Sequence, residues 1–280
     1  MRHFTLLAQV AASLACGPTV GIIGGGESGE SGGAASTGGP TQTDAGPGSA
    51  GESGGVDPDG TTGEPLPPLP PPPDCVEGTV VDPWLHIDGT DLDERASLDG
   101  VTVVDGDLIV RRTPDSNLDF LQCVRQITGD LYIHDNDNLT DVSGLTWVQS
   151  IGGDIVITDN DALIAFDVLT LVPELGLKPP DPDAIGIEPA SSLIVLDNDA
   201  LERIQGLSGL GVVMGNLLVR DNPVLTNIDG LLNVTTVGGN LAVNHNASLC
   251  ISTVNILGMG ITDPAAPPAS WTTLGNNQAC

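Results

Sequence analysis

The groups that could do chemistry are few and far apart. Of four histidines, His3 lies at the extreme N-terminus, which leaves His86, His134 and His245. A nucleophilic triad needs a His within reach of a Ser or Cys and of an orienting carboxylate, and no such arrangement emerges from the spacing. His134 and His245 fall on distant repeats, so they do not assemble a metal site either. A polysaccharide lyase or esterase would need a base beside clustered acids. Arg111 and Asp130 are the nearest approach to that, and it is a weak one. The five cysteines are Cys16, Cys75, Cys123, Cys250 and Cys280; none forms a C-x-x-C pair, so a thiolate metal cluster is not indicated. The turns Asp135-Asn136-Asp137, Asp159-Asn160-Asp161 and Asp197-Asn198-Asp199 offer the oxygens calcium prefers. They lack the Gly and distal Glu of an EF-hand, and no G-G-x-G-x-D repeat occurs. Solvated acidic turns are therefore expected, with no catalytic residue, no metal and no cofactor.

Composition narrows the partners. The 280 residues carry 8 Lys and Arg against 37 Asp and Glu, a net charge of −29. That charge repels phosphate backbones. Aromatics at 2% cannot build the stacking platforms of a single-strand binder. Nucleic acid is excluded, and any core must be aliphatic.

The elements that position these groups are repeats. Gly106-Asp107-Leu108, Gly129-Asp130-Leu131, Gly153-Asp154-Ile155, Gly215-Asn216-Leu217 and Gly239-Asn240-Leu241 share one pattern, with steps of 23 or 24 residues save one gap of 62. Ser191-Ser192-Leu193 fills that gap, 24 residues before Gly215. The extra length is an insertion spanning Val172 to Pro189. Six coils of this period predict a solenoid. Two residues past each aligned Leu or Ile stands Val or Ile, the period of a short strand with one face buried. The preceding Gly suits a sharp corner. Stacked strands lie ~4.8 Å apart, so six coils span roughly 30 Å. The predicted fold is mainly β: a right-handed parallel β-helix or leucine-rich-repeat-like solenoid.

Five residues past the aligned position comes a column of Asn136, Asn160, Asn198, Asn222 and Asn246. An Asn within a turn can satisfy backbone groups the turn leaves unpaired, so a structural Asn ladder is expected. Eight residues past comes Leu, except in the first coil, which has Ser116. Asn138, Asn233 and Asn246 also head glycosylation sequons, but the ladder would occupy the Asn246 amide.

The outward strand positions form columns. The middle one reads Ile109, Tyr132, Val156, Ile194, Leu218 and Ala242. On one side stand Asp107, Asp130, Asp154, Ser192, Asn216 and Asn240. On the other stand Arg111, His134, Thr158, Leu196, Arg220 and Asn244. An apolar stripe between polar columns is the mark of a partner surface. The candidate ligand-binding face is Ile109, Tyr132, Val156, Ile194 and Leu218 with Arg111, His134 and Arg220.

The N-terminal segment has a different character. Residues 1–16 read as a secretory signal: Arg2 and His3, a short apolar run, then Ser13-Leu14-Ala15 before Cys16. The segment resembles a bacterial lipoprotein signal, which implies lipidation of Cys16, although Ser13 stands where Leu is usual. Residues 17–74 hold 17 Gly, 11 Pro, 8 acids and no base. Such a stretch cannot repay its ordering entropy, so a disordered linker is expected. Its root-mean-square span would be roughly 40 Å. Pro65 to Pro73 reads as a stiffer polyproline II spacer. The domain is then 75–280. Its four cysteines allow three pairings; Cys75 with Cys123 and Cys250 with Cys280 would staple the two ends of the solenoid.

The repeat G-D-L-x-[VI]-x-D-N-x-x-L, with Gly144-Leu145, Gly206-Leu207 and Gly230-Leu231 following, resembles leucine-rich repeats. More closely it resembles the receptor L domain, the ligand-binding β-helix-like domain of insulin and epidermal-growth-factor receptors. Asn246-Ala247-Ser248-Leu249-Cys250 resembles that family's last coil. The likeness covers 75 to about 262, and no kinase, furin-like region or transmembrane helix accompanies it. It implies a non-enzymatic binding or adhesion module. With the lipoprotein signal it implies an extracytoplasmic location, at the outer membrane or cell surface, or else secretion. The expected partner is a protein or envelope component, with membrane contact only through the lipid. A structural envelope role and a β-helix enzyme acting on polysaccharide are the alternatives.

Overall fold

A computed structural model describes residues 75, 79–89, 98, 100–176, 190–262 and 271–280. The signal, Cys16, the linker and most of the insertion lie outside the described residues. The strands, in chain order, are β1 (Thr79–Asp88), β2 (Val103–Arg111), β3 (Gln126–Ile127), β4 (Leu131–His134), β5 (Ser150–Ile151), β6 (Ile155–Thr158) and β7 (Ala165–Phe166). There follow β8 (Glu174–Leu175), β9 (Leu193–Leu196), β10 (Arg203–Ile204), β11 (Val212–Val213), β12 (Leu217–Arg220), β13 (Thr236–Val237) and β14 (Leu241–Asn244), then a helix, α1 (Ile251–Gly260).

Every strand pairing is parallel, as a solenoid of about six turns requires. The main sheet runs β14-β12-β9-β6-β4-β2, with β1 beyond β2. A second wall is built by β3 and β5 beside β2, and by β8, β11 and β13. The third side has β7 and β10 and short 3-10 turns such as Ser143–Leu145 and Asp229–Leu231. The core is aliphatic, as the aromatic poverty demands. Leu108, Leu131, Ile155, Leu193, Leu217 and Leu241 are all 0% exposed, and Phe166 is the one aromatic fully buried among the described residues.

Three features depart from the reading of the repeat. The first concerns the insertion, which does not begin at Val172. Val172 and Leu175 are fully buried in the core, and β8 pairs with β11. Ser191 N–H then donates to Gly176 C=O, so the extra residues are confined to 177–189. Their proline richness masked a regular strand just before them.

The second is the Gly that opens each repeat. It serves close approach more than a corner: a Cβ on Gly153 would lie 1.9 Å from Asp130 Oδ1, and one on Gly129 2.8 Å from Gly106 O. The left-handed corner comes after the strand instead, at Arg112, Asp135, Asp159, Asp197, Asp221 and His245, with φ between 47° and 58°. Asp tolerates that conformation because its short side chain can hydrogen-bond locally.

The third is additional coil at both ends. At the N-terminal side β1 extends the main sheet before the first repeat. At the C-terminal side, residues 271–280 return to the sheet. Thr272 bridges Ala242 and Asn277 bridges Cys250. Disulfides tie both ends, Cys75 to Cys123 and Cys250 to Cys280.

Candidate functional site: the outer face of the main sheet

Strand register places Ile109, Tyr132, Val156, Ile194 and Leu218 on successive rungs of one column. The column begins earlier than the repeat indicates, at His86 on β1, and continues to Ala242 and Thr272. Few of its side chains protrude. Val156 is 4% and Leu218 7% exposed, while Ile109, Tyr132 and Ile194 are half-buried. Branched side chains stacked ~4.8 Å apart shield one another. The two most exposed large hydrophobics among the described residues, Met259 and Leu274, belong to the C-terminal end.

The column beginning with Asp107 is a second ladder, which the sequence shows only as a polar column. Asp107 Oδ1 accepts the Asp130 N–H at 2.8 Å, Asp130 Oδ1 that of Asp154 at 2.7 Å, and Asp154 Oδ1 that of Ser192 at 2.7 Å. Ser192 Oγ then accepts the Asn216 N–H, and Asn216 Oδ1 that of Asn240. Each side chain caps the amide of the next coil, where the Gly leaves room for it. The sequence signal was present: only short side chains with an acceptor oxygen occupy this position. The Tyr132 hydroxyl donates to Asp130 Oδ2 at 3.0 Å. Burial, together with the charges of Asp130, Asp154 and Asp107, drives the Tyr132 pKa far upward.

The opposite column is mixed, and its Arg111, His134 and Arg220 each lie near a carboxylate. Arg111 and Arg112 both reach Asp88, at 3.2 Å and 2.5 Å. Burial pushes the Asp88 pKa up, but the two guanidiniums outweigh it and hold the carboxyl below its ordinary value. Arg220 lies 3.7 Å from Asp221. His134 Nδ1 lies 3.5 Å from Asp135, and His245 Nδ1 3.3 Å from Asp221. Burial lowers the His134 pKa, with Arg111 assisting and Asp135 and Asp159 opposing. Burial raises the Asp197 pKa, and Asp221 and Asp159 on adjacent coils raise it further.

Beneath this face runs the Asn column. Nδ2 of Asn136 donates to Asn160 Oδ1 at 2.9 Å, and the relay passes through Asn198 and Asn222 to Asn246. Each Nδ2 also donates to a strand carbonyl of the preceding coil, Val110, Ile133, Ile157, Val195 and Val219 in turn. All five are fully buried. Asn276 forms a sixth rung that the sequence reading missed, accepting the Asn246 N–H at 3.1 Å. Gly275-Asn276-Asn277 repeats the Asp-Asn turn, with Gly275 at φ 79° in the left-handed place. In the first coil, whose Leu is missing, Thr113 takes the Asn place, donating its N–H to Asn136 Oδ1 and its hydroxyl to Asp115.

The structure thus aligns the eight candidate face residues on one sheet. It does not bring Arg111 to Asp130, since one pairs with Asp88 and the other caps Asp154. His134 and His245 stand on separate coils. Among the described residues no group of three or more His, Cys, Asp or Glu could hold a metal ion. No described helix is long and apolar enough to cross a membrane.

Comparison with known proteins finds one family. Residues 77–174 match the receptor L domain family. The match runs from the β1 region to β8 and ends just before the insertion. The receptor L domain is a ligand-binding family rather than a catalytic one, and its ligands are proteins. The disulfides of this chain and its match to that family suggest an extracellular setting. No curated relative and no solved structure matches the chain.

Proposed function

We propose that this chain is a surface-tethered, non-enzymatic binding or adhesion module of the cell envelope. The observation that carries the reading is the continuous outer face of the main sheet, in a chain whose receptor L domain match implies protein ligands. Ile109, Tyr132, Val156, Ile194 and Leu218 supply its apolar strip, and Arg111, His134 and Arg220 its polar border. Lipidation of Cys16 anchors the chain to the outer membrane or cell surface, and the linker over 17–74 sets its reach. The partner is a protein or envelope component, and the only membrane contact is through the lipid.

Two experiments test the reading. Labelling cells with radioactive palmitate should mark the parent chain and not Cys16→Ser; equal labelling removes the anchor. Ile194→Asp with Leu218→Asp should abolish partner capture by the full chain while the melting transition stays cooperative. Undiminished capture removes the face.

A further inference from the structure

The two disulfides close different ends of the solenoid and sit in different surroundings. Cys75 and Cys123 are both half-buried. Arg125 Nη2 lies 3.7 Å from the Cys75 sulfur and favours a thiolate there, but the burial of both residues hinders attack. Cys280 is exposed, and its partner Cys250 is half-buried. Cys250 is the N-cap of α1, where the helix dipole stabilises a thiolate. The Ser252 hydroxyl lies 2.9 Å from Cys250 Sγ. A disulfide sulfur carries no hydrogen, so the hydroxyl is the donor. An attacking thiolate thus meets an open target in Cys280 and a stabilised leaving group in Cys250.

This bridge holds the terminal coil against the sheet. Thr272 N–H donates to Leu241 O at 3.2 Å, and Asn277 N–H to Leu249 O at 2.9 Å. In return the amides of Val243, His245 and Ile251 donate to Thr272 O, Leu274 O and Asn277 O. The coil thereby covers the edge of β14, the last strand of the main sheet. Its grip is incomplete. The Trp271 ring packs so closely on α1 that a Cβ at Gly258 would fall 2.0 Å from it. Yet the indole Nε1 is buried with no hydrogen-bond partner, a cost that release of the segment removes. Leu274, at 74% exposed, buries little.

We propose that Cys250–Cys280 is a latch on this coil, opened by an external dithiol. A thiolate of the dithiol attacks Cys280 Sγ, the bond to Cys250 breaks, and Cys250 departs as a thiolate. The second thiolate attacks the mixed disulfide, frees Cys280 and leaves the dithiol oxidised to a disulfide. Two electrons pass to the chain, and the two protons of the dithiol end on the two cysteine sulfurs. Residues 271–280 then leave the sheet, and β14 becomes an open edge able to pair with an extended strand. Reoxidation closes it. This holds whether or not the outer sheet face binds a partner.

The test is stepwise reduction of the full chain by dithiothreitol in native buffer. Freed thiols are alkylated with iodoacetamide and located by peptide mass, and amide exchange is followed in the same samples. Cys250 and Cys280 should be alkylated while Cys75 and Cys123 remain bonded. The Val243 and His245 amides should then exchange about a hundredfold faster, and reoxidation should restore their protection. The Leu131 amide, bonded to Asp154 O, should not change. Reduction of Cys75–Cys123 first or simultaneously overturns the proposal. So does alkylation of Cys250 and Cys280 with Val243 and His245 still protected. So does faster exchange at Leu131 as well, because the bridge would then be a staple of the whole fold.

Discussion

Asn160 shows how much one side chain can hold. Its Nδ2 shares two hydrogens among Ile133 O, Thr158 O and Asn198 Oδ1, and its Oδ1 accepts from Asn136. Asn160→Ala withdraws one partner from each of these buried groups, and the expected loss is about 3 kcal/mol in denaturant unfolding. Asn160→Asp should cost more, because a carboxylate would face carbonyl oxygens. The exposed Asn138→Ala should change stability by less than about 0.5 kcal/mol. Titration separates two further residues by sign. The folded pKa of His134 is depressed, so the unfolded chain takes up the proton first as pH falls. Stability associated with the neutral ring is full above about pH 6.5 and is lost as pH falls through the folded value. Melting curves of parent and His134→Gln should therefore diverge below that pH, the parent losing more. The folded pKa of Asp197 is raised, so its contribution is present at low pH and is lost as pH rises through that value. Asp197→Asn keeps a side chain that tolerates the left-handed corner. It should raise the melting temperature at pH 7 and lose that advantage in acid.

At the scale of the element, the coil is specified by where a side chain is forbidden. Gly153→Ala would drive a methyl into Asp130 Oδ1, the cap of the next amide. The expected cost is about 2 kcal/mol or more. Gly176→Ala meets nothing within 4 Å and should be tolerated within about 0.5 kcal/mol by the same unfolding measurement. The terminal coil is held by fewer bonds. The Val243 and His245 amides donate to Thr272 O and Leu274 O, in a segment closed by Cys250–Cys280. Replacing both cysteines by Ser should cost about 4 kcal/mol on the loop-entropy model and should release those two amides first in hydrogen exchange. The six coils were legible because Leu, Ile, Val and Gly recur at a fixed period, which is the physics of a stacked core. The caps were less legible. In the Asp107 column the identity changes from Asp to Ser to Asn while the acceptor role is constant, so a letter pattern sees charge where the structure uses an oxygen. Strand β1 and the 271–280 coil escaped because end coils need not repeat the interior pattern. Val172–Leu175 escaped because prolines follow so closely.

For the whole molecule, the charge of −29 has a consistent distribution. The five described arginines are not a basic patch: Arg111 and Arg112 serve Asp88, Arg203 serves Asp167, Arg220 lies by Asp221, and Arg125 bonds carbonyls of its own turn. Acids recur in the corner column at Asp135, Asp159, Asp197 and Asp221 and in the capping column at Asp107, Asp130 and Asp154. On the proposed role, the shallow outer strip suits an extended contact with a protein surface better than a small molecule, which binds in concave sites. The fold was largely readable from the sequence, and the eight face residues could be placed in their columns. The shallow exposure of the strip was not readable, because it depends on mutual shielding between coils. The most direct measurement places a photo-crosslinking residue at Tyr132 or Ile194 on the outer face, or at Asn233 on the side wall, in the full chain in intact cells. The proposed role predicts one discrete adduct from Tyr132 and Ile194 and none from Asn233. Adducts from no position, or the same adducts from all three, would contradict it.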